Sequence, residues 1–224
     1  MKRIQNSIMK TVLLLGVTLM VALPASAQVR IDPNADLTMR GNTEYNNSDP
    51  FGLFVKTANT DVSYIEFTLG SVAASQANLV LWQGDPGPSA LWNVKVRGAE
   101  YSFTEGAGDF GSGNYVIGTE GTGNGNWPDV GTINGVQAVG FYNLDLTSWY
   151  NANLNKTMTL CLYVPAVPNT GSGPIFEDRE GTKTGDAVTY GDRLEVTVVP
   201  EPGTLSLLML SAGIGMMILR RRKV

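Results

Sequence analysis

The chain has 224 residues, a formal net charge of −4, one cysteine and no histidine. The absence of histidine excludes Ser-His-Asp and Cys-His catalytic arrangements and His-based zinc sites, and a single cysteine excludes an intramolecular disulfide. From Gln28 to Val199 the chain carries nine Lys and Arg and nineteen Asp and Glu, a net charge of about −10. Because proteins bind nucleic-acid phosphates through clustered cations, we do not expect nucleic acid as a partner.

The N-terminus has the three parts of a secretory signal peptide. A positively charged start is followed by the apolar residues 11–23, and Ala25 and Ala27 form a small-residue cleavage site. We predict cleavage after Ala27, so that residues 1–27 are the signal peptide and residues 28–198 form one exported domain with a sizeable core.

The exported domain consists of short strand-like segments separated by Gly, Asn, Asp and Pro, with little helical periodicity. The predicted strands are 37–40, 51–56, 62–69, 78–83, 91–97, 136–144, 157–164, 174–177 and 193–199. One short helix is predicted from Asp145 to Tyr150. Strands that are this short and numerous predict an all-β fold, a jelly-roll-like antiparallel β-sandwich, with the signal peptide before it and an apolar helix after it.

Two of these strands indicate where the core lies. In the strand 62–69, Ile65, Phe67 and Leu69 share one face and are core candidates, whereas Val62, Tyr64, Glu66 and Thr68 take the other face. Cys161 has apolar neighbours, so we expect a small buried residue rather than a nucleophile.

Residues 105–127 form the most glycine-rich part of the chain, with eight glycines in 23 residues. The stretch contains a formal Gly-x-Gly-x-x-Gly pattern at 106–111, but no helical pattern follows it, so we interpret the match as coincidence. A long flexible loop or a loose hairpin is expected here.

The C-terminal tail has three parts in a fixed order. Pro200, Glu201 and Pro202 prevent the secondary structure of the domain from continuing, residues 204–219 are apolar and uncharged, and four cations follow at 220–223. Because anchored chains keep Lys and Arg on the cytoplasmic side, the tail predicts a transmembrane helix over 204–219 with its C-terminal end in the cytoplasm.

This tail, residues 199–224, resembles the PEP-CTERM sorting signal of bacterial exported proteins. The resemblance implies an exosortase-type membrane protease as a partner, transient anchoring in the inner membrane, and then a place at the cell surface or in the extracellular matrix. The apolar residues 205–219 span about 22 Å as a helix, less than a hydrocarbon core of roughly 30 Å, which suits a transient anchor. The alternative is a simple tail anchor.

Seven short blocks of the exported domain follow the order of a known family. The blocks are 35–41, 44–46, 53–56, 65–69, 144–147, 176–180 and 193–197. In this order they resemble the DNRLRE-type domain of extracellular bacterial proteins. That family is a β-sandwich and is close to a carbohydrate-binding-module family whose members bind alginate-like acidic polysaccharides, so the resemblance implies the same fold and the same class of ligand.

Three cations lie in the blocks that resemble this family: Arg40, Lys56 and Arg179. On one sheet face they could hold uronate carboxylates through charge-assisted hydrogen bonds. The alternative is that Arg179 pairs with its acidic neighbours, and that Arg40 and Lys56 are ordinary surface charges.

Four tryptophans could stack on the apolar C–H faces of sugar rings: Trp82, Trp92, Trp127 and Trp149. Trp127 is the candidate we expect to be most exposed, because it ends the glycine-rich stretch. Trp82 and Trp92 flank a turn and could share a platform. Burial in the core is the alternative for each of them.

Asp32, Asn34 and Asp36 place oxygen ligands at alternating positions, as in a calcium loop, although the glycine and the distal glutamate of an EF-hand are missing. A structural calcium ion is therefore one expectation, and a solvated polar segment is the alternative. No other cofactor is expected.

These observations predict a secreted, non-catalytic β-sandwich that binds an acidic exopolysaccharide. A structural matrix protein that acts by self-association is the first alternative. A polysaccharide-degrading enzyme is the weakest one, because no spacing singles out a catalytic carboxylate pair.

Overall fold

The computed structural model describes residues 26–40, 43–45, 52–55, 61–84, 91–105, 127–165, 173–181 and 184–198. Residues Gln28 to Val198 form one compact unit. Apart from Ala27, the predicted processing residues lie outside the described ranges, as does the predicted helix 204–219. Within those ranges, no helix is long and apolar enough to cross a membrane.

The described part of the chain contains twelve strands and two short helices. They are β1 (Ala27–Ile31), β2 (Ala35–Arg40), β3 (Thr43–Tyr45), β4 (Leu53–Phe54), β5 (Asp61–Thr68), β6 (Ala74–Gln83), β7 (Trp92–Ala99), β8 (Asp129–Val136), β9 (Gly140–Asp145), α1 (Thr147–Ala152), β10 (Thr157–Tyr163), β11 (Ile175–Phe176), α2 (Ala187–Tyr190) and β12 (Arg193–Val198).

The strands form two six-stranded sheets. In the first sheet the order is β1-β12-β6-β11-β4, and β9 pairs with the other edge of β6. In the second sheet the order is β3-β2-β5-β10-β7-β8. The pairings along both sheets are antiparallel. The predicted antiparallel β-sandwich is therefore confirmed.

The main core lies between the two sheets. Because side chains alternate along a strand, β6 directs Leu79 and Leu81 inward from the first sheet, and β10 directs Leu160 and Leu162 inward from the second. All four side chains are fully buried. Burying one such leucine stabilises the fold by about 1.5–3 kcal/mol, so these alternating positions are the main source of stability.

The outer face of the second sheet carries a second hydrophobic cluster, which was not predicted from residues 62–69. Its buried members are Ala35, Leu37, Met39, Val62, Tyr64, Phe103 and Cys161, and Tyr101, Trp127 and Tyr163 pack against them. β5 is buried on both faces because residues from the chain before and after the glycine-rich stretch cover its outer side. Burial raises the pKa of the Cys161 thiol to about 12, so the thiol stays protonated at neutral pH, as expected for a core cysteine.

Two buried hydroxyl groups join the sheets at β4. Thr38 Oγ1 accepts a hydrogen bond from the Phe54 backbone N–H at 3.0 Å, and Ser63 Oγ donates to the Phe54 carbonyl at 2.8 Å. The two hydroxyls also lie 3.0 Å apart. Since Thr38 and Ser63 belong to the second sheet and Phe54 to the first, these contacts fix the two sheets against each other.

Three strands were not predicted, and one predicted strand spans two. β1 begins at the predicted signal-peptide cleavage site, β3 has only three residues, and β8 is an edge strand with two glycines. The predicted strand 136–144 contains the end of β8, a turn, and most of β9. Tyr142 holds this turn, because its hydroxyl accepts from the N–H groups of Gln137 and Ala138 and donates to the Ala138 carbonyl.

Candidate functional site

The three predicted ligand-binding cations have different places in the structure. Arg40 is the last residue of β2, and its side chain lies outside the described part, as does the whole of Lys56. Arg179 follows β11, and its backbone N–H donates to Asp36 Oδ2 at 2.7 Å. Its guanidinium forms ion pairs with Glu105 at 3.0 Å and Glu180 at 2.5 Å. These contacts direct Arg179 to protein carboxylates, which is the alternative that its acidic neighbours indicated.

A buried acidic cluster, formed by Asp36, Asp178 and Asp192, lies beside Arg179. Burial, with the neighbouring carboxylates adding to it, raises the pKa of Asp192 well above its usual range. Burial also raises the pKa of Asp36 well above its usual range, although the Arg179 N–H opposes this shift. Both Asp192 carboxylate oxygens are buried without a hydrogen-bond partner in the described structure. The folded state therefore favours the neutral form of Asp36 and Asp192.

The three predicted calcium ligands each have another partner. Asp32 forms an ion pair with Arg30, and Asn34 donates a hydrogen bond to Glu66 at 3.1 Å. Asp36 accepts a hydrogen bond from the Arg179 backbone N–H. In the ranges that the structure covers, no group of three or more His, Cys, Asp or Glu residues is arranged to hold a metal ion. Calcium binding stays a prediction.

Three of the four tryptophans pack within the domain. Trp92 is buried in the main core, and Trp149 is half-buried against Gly98. Trp127 is half-buried and packs edge-on against Tyr64, with ring centroids 6.1 Å apart. It therefore covers the second hydrophobic cluster. Trp82 is different, because it is half-buried on the outer face of the first sheet.

An aromatic patch surrounds Trp82 on that outer face, formed by Trp82, Phe141, Tyr190 and Arg193. The Trp82 ring centroid lies 4.7 Å from that of Phe141 and 4.6 Å from that of Tyr190. Phe141 and Tyr190 are stacked with an interplanar angle of 16°. The Arg193 guanidinium carbon lies 5.3 Å from the centre of the Phe141 ring. Phe141 is 45% exposed, so the patch faces solvent.

Strand register brings the patch together. Trp82 in β6 lies directly opposite Phe141 in β9, and both point away from the main core because their neighbours point into it. Arg193, the first residue of β12, lies opposite Val80, the next outward position on β6. The patch therefore consists of residues from three adjacent strands and one helix, and the first and last of them, Trp82 and Arg193, are 111 residues apart in the chain.

The helix α2 adds Tyr190 to the patch and is held by side chains from two strands. Asp186 caps it by accepting the Thr189 N–H at 3.0 Å. Arg30 of β1 donates to the Ala187 carbonyl at 3.0 Å and also to the Val188 carbonyl. Arg193 of β12 donates to the Thr189 carbonyl at 3.2 Å. Since α2 has only four residues, these bonds rather than helix propensity determine where Tyr190 lies.

Trp82 is a candidate that the sequence indicated, whereas Phe141, Tyr190 and Arg193 were not predicted. One signal could have shown Phe141. In β9, Phe141, Asn143 and Asp145 alternate with Tyr142 and Leu144, so an aromatic residue lies on the polar face of a strand. Large exposed aromatic surface of this kind is typical of binding sites.

Residues 198–223 match the PEP-CTERM protein-sorting motif. The motif implies an exported protein with a C-terminal membrane-anchoring sorting signal that an exosortase processes, so the predicted sorting tail is confirmed. This match covers the tail only.

No curated protein matches the chain. A family 35 carbohydrate binding module from Clostridium thermocellum, in its native structure, is similar to 78% of this chain over 100% of its own length, with 10% sequence identity and a TM-score of 0.33. At this level of similarity, the fold assignment rests on the strand pairing of the chain itself. The resemblance to the DNRLRE-type domain stays a prediction.

Proposed function

We propose that the exported domain is a non-catalytic module that binds polysaccharide outside the cell through the aromatic patch. The observation that supports this function is the exposed Phe141 packed with the half-buried Trp82 and Tyr190, a group that is held in place by the sheet and by α2. The sorting motif supports the location, because an exported protein meets polysaccharides of the cell envelope and matrix.

Sugar rings suit such a surface. Pyranose rings present apolar C–H groups on their faces, and aromatic rings bind these faces while the hydroxyl groups at the ring edge stay hydrated. A rigid platform also loses little side-chain entropy when a ligand binds, because its rings already pack against one another. Asn143, exposed on β9 two residues from Phe141, places an amide that can hydrogen-bond hydroxyl groups at the edge of the patch.

The carboxylates near the patch support a binding function rather than hydrolysis. A glycosidase needs a carboxylic acid that stays protonated and can reach the glycosidic oxygen. Hydrogen bonds from the Thr147 side chain and backbone instead lower the pKa of Asp145, and Glu195 forms an ion pair with Arg193 at 2.8 Å. Asp192, whose pKa is raised, is fully buried, where a polymer has no access to it.

The first test measures binding of the full chain, in a mild detergent, to insoluble or gel-embedded polysaccharides. We expect Phe141→Ala to weaken binding about tenfold, since truncation of a central aromatic contact typically removes more than 1 kcal/mol. The matched control is Leu91→Ala, because Leu91 is 67% exposed and lies in the segment just before β7, in the other sheet. Equal binding by the wild type and Phe141→Ala across all polymers would contradict this function for the patch.

One observation favours self-association as a second candidate function. Val188, 78% exposed, lies in α2 with Tyr190, and Val139, 48% exposed, lies just before β9, two residues from Phe141. A second copy of the chain could cover them. Light scattering over a concentration series without glycan measures this directly. A mass that rises with concentration and falls for Val188→Ser would favour self-association, and a constant monomer mass would exclude it.

A further inference from the structure

We infer that the aromatic patch selects uncharged stretches of polysaccharide and discriminates against polyuronates. This inference rests on the proposed function and specifies the ligand class of the same site. The family resemblance implied an acidic polysaccharide instead. The reason for the difference is that Arg193 in the patch and Arg30 beside it already have partners within the protein.

Arg193 is the cation within the patch, and all three of its guanidinium nitrogens have protein partners. Nε and Nη2 contact Glu195 Oε1 at 2.9 and 2.8 Å. Nη1 donates to the carbonyls of Thr189 and Gly191, both at 3.2 Å. The side chain is only 12% exposed. A uronate carboxylate could therefore bind Arg193 only through the remaining N–H of Nη2 or by displacing these partners.

Arg30 is the second cation beside α2, and it is used in the same way. Its Nε forms an ion pair with Asp32, Nη1 donates to the Val188 carbonyl, and Nη2 donates to the Ala187 carbonyl at 3.0 Å. Each nitrogen thus holds a group of the protein. Among the residues described on this face, no further Lys or Arg remains to receive an anionic ligand.

The acidic residues of the same face stay open to solvent. Asp145 is exposed on β9, Glu195 keeps 32% of its side chain exposed, and Asp186 is half-buried at the start of α2. Asp145, Asn78 and Glu195 lie side by side across β9, β6 and β12. Asn78 is four residues from Trp82 along β6, so this row lies about 13 Å from Trp82.

A polyuronate carries a carboxylate on every sugar, so a chain that stacks on the patch and continues over the sheet would place negative charges near these acids. With a screening length of about 8 Å at physiological salt, the repulsion between these like charges acts where the polymer runs directly over the acidic row, and it is largely screened at Trp82 itself. A neutral polymer can stack on the patch without this repulsion, because contact between sugar C–H groups and an aromatic ring involves no charge on the sugar.

The test compares neutral polymers, hydroxyethyl cellulose and galactomannan, with the polyuronates alginate and polygalacturonate. The full chain in mild detergent is run through gels that contain each polymer, with a chelator present to remove cations that could bridge two carboxylates. We expect retardation by at least one neutral polymer, loss of about tenfold in affinity for Phe141→Ala, and no Phe141-dependent retardation by the polyuronates.

The outcomes separate the two proposals. Retardation that depends on Phe141 but is stronger for polyuronates would overturn this inference and leave the proposed function in place. The absence of any Phe141-dependent retardation would overturn the proposed function itself.

A second variant tests the reason for the discrimination. Glu195→Gln removes the charge that neutralises Arg193, so we expect binding to alginate to appear or to rise several-fold, and to fall again as NaCl is raised. Affinity for the neutral polymer should stay within about twofold, as should that of the Leu91→Ala control. Unchanged alginate binding in Glu195→Gln would show that pairing of Arg193 does not set the selectivity.

Discussion

At the scale of single residues, Asp192 combines complete burial with a position next to other acids. Its two carboxylate oxygens have no hydrogen-bond partner in the described structure, and the buried Asp36 and Asp178 are its electrostatic neighbours. A buried charge without a partner destabilises the folded state, so the domain keeps Asp192 neutral or loses stability.

We expect Asp192→Asn to stabilise the domain at pH 7. The amide has the shape of the carboxylate but carries no charge, so the variant should raise the free energy of unfolding by about 1–3 kcal/mol. Urea denaturation at pH 7 measures this change. At pH 4 the wild-type acid is protonated, so the difference between the two proteins should shrink. A variant that is less stable at pH 7 would contradict the interpretation of Asp192 as an unfavourable buried acid.

At the scale of elements, β4 shows how little local structure is needed when side chains supply the contacts. The strand has two residues, yet it joins both sheets through Thr38 and Ser63. The hydroxyls take the place of the ladder bonds that a longer strand would make.

Thr38→Val should therefore destabilise the domain. Valine keeps the shape but removes the acceptor that the Phe54 N–H uses, and we expect a loss of about 1–3 kcal/mol in urea denaturation. Thr132→Val is the matched control, because Thr132 lies half-exposed on the edge strand β8, and its effect should stay below about 0.5 kcal/mol. Equal effects of the two substitutions would show that the hydroxyl of Thr38 is not needed.

The helix α2 is a second element that depends on side chains from elsewhere. Arg30→Ala removes the donors to the Ala187 and Val188 carbonyls, so α2 should open more often. Hydrogen–deuterium exchange should speed up in residues 187–190 while exchange in β10, in the other sheet, stays unchanged. Binding to the neutral polymer should weaken along with it, because Tyr190 belongs to α2. Unchanged exchange in α2 would mean that other contacts hold the helix.

At the scale of the whole molecule, the raised and lowered pKa values predict an optimum of stability below neutral pH. Asp36 and Asp192 have pKa values above those of the unfolded chain, so the folded state binds protons more tightly, and stability rises as the pH falls from 7 through these values. Asp145 acts in the opposite sense, because hydrogen bonds lower its pKa, and its contribution is lost as the pH falls below about 4.

We therefore expect the melting temperature to increase from pH 7 to about pH 5 and to decrease again in stronger acid. Thermal denaturation followed by circular dichroism over this range provides the test. Asp192→Asn should flatten the rise between pH 7 and 5, since it removes one of the acids whose pKa is raised. A melting temperature that is highest at pH 7 would contradict the direction of both raised pKa values.

The sequence alone was sufficient to predict the fold class and the sorting tail, because both depend on patterns of residues that are close together in the chain. Alternation in β5, β6 and β10 depends only on the period of an extended chain, and it predicted the sandwich that the two sheets form. The tail is a linear signal that is recognised in sequence order.

Only the tertiary structure decided which faces are covered and which charges remain open. β5 is buried on both sides because Phe103 and Trp127 lie over its outer face. The sequence of β5 does not predict this burial. Strand register brings Trp82 next to Phe141 in the aromatic patch. Arg193 forms an ion pair with Glu195, which the sequence does not show because it gives only the number of charges. Contacts between distant residues depend on register and packing, which local sequence does not encode, and these contacts form the surface on which the proposed function depends.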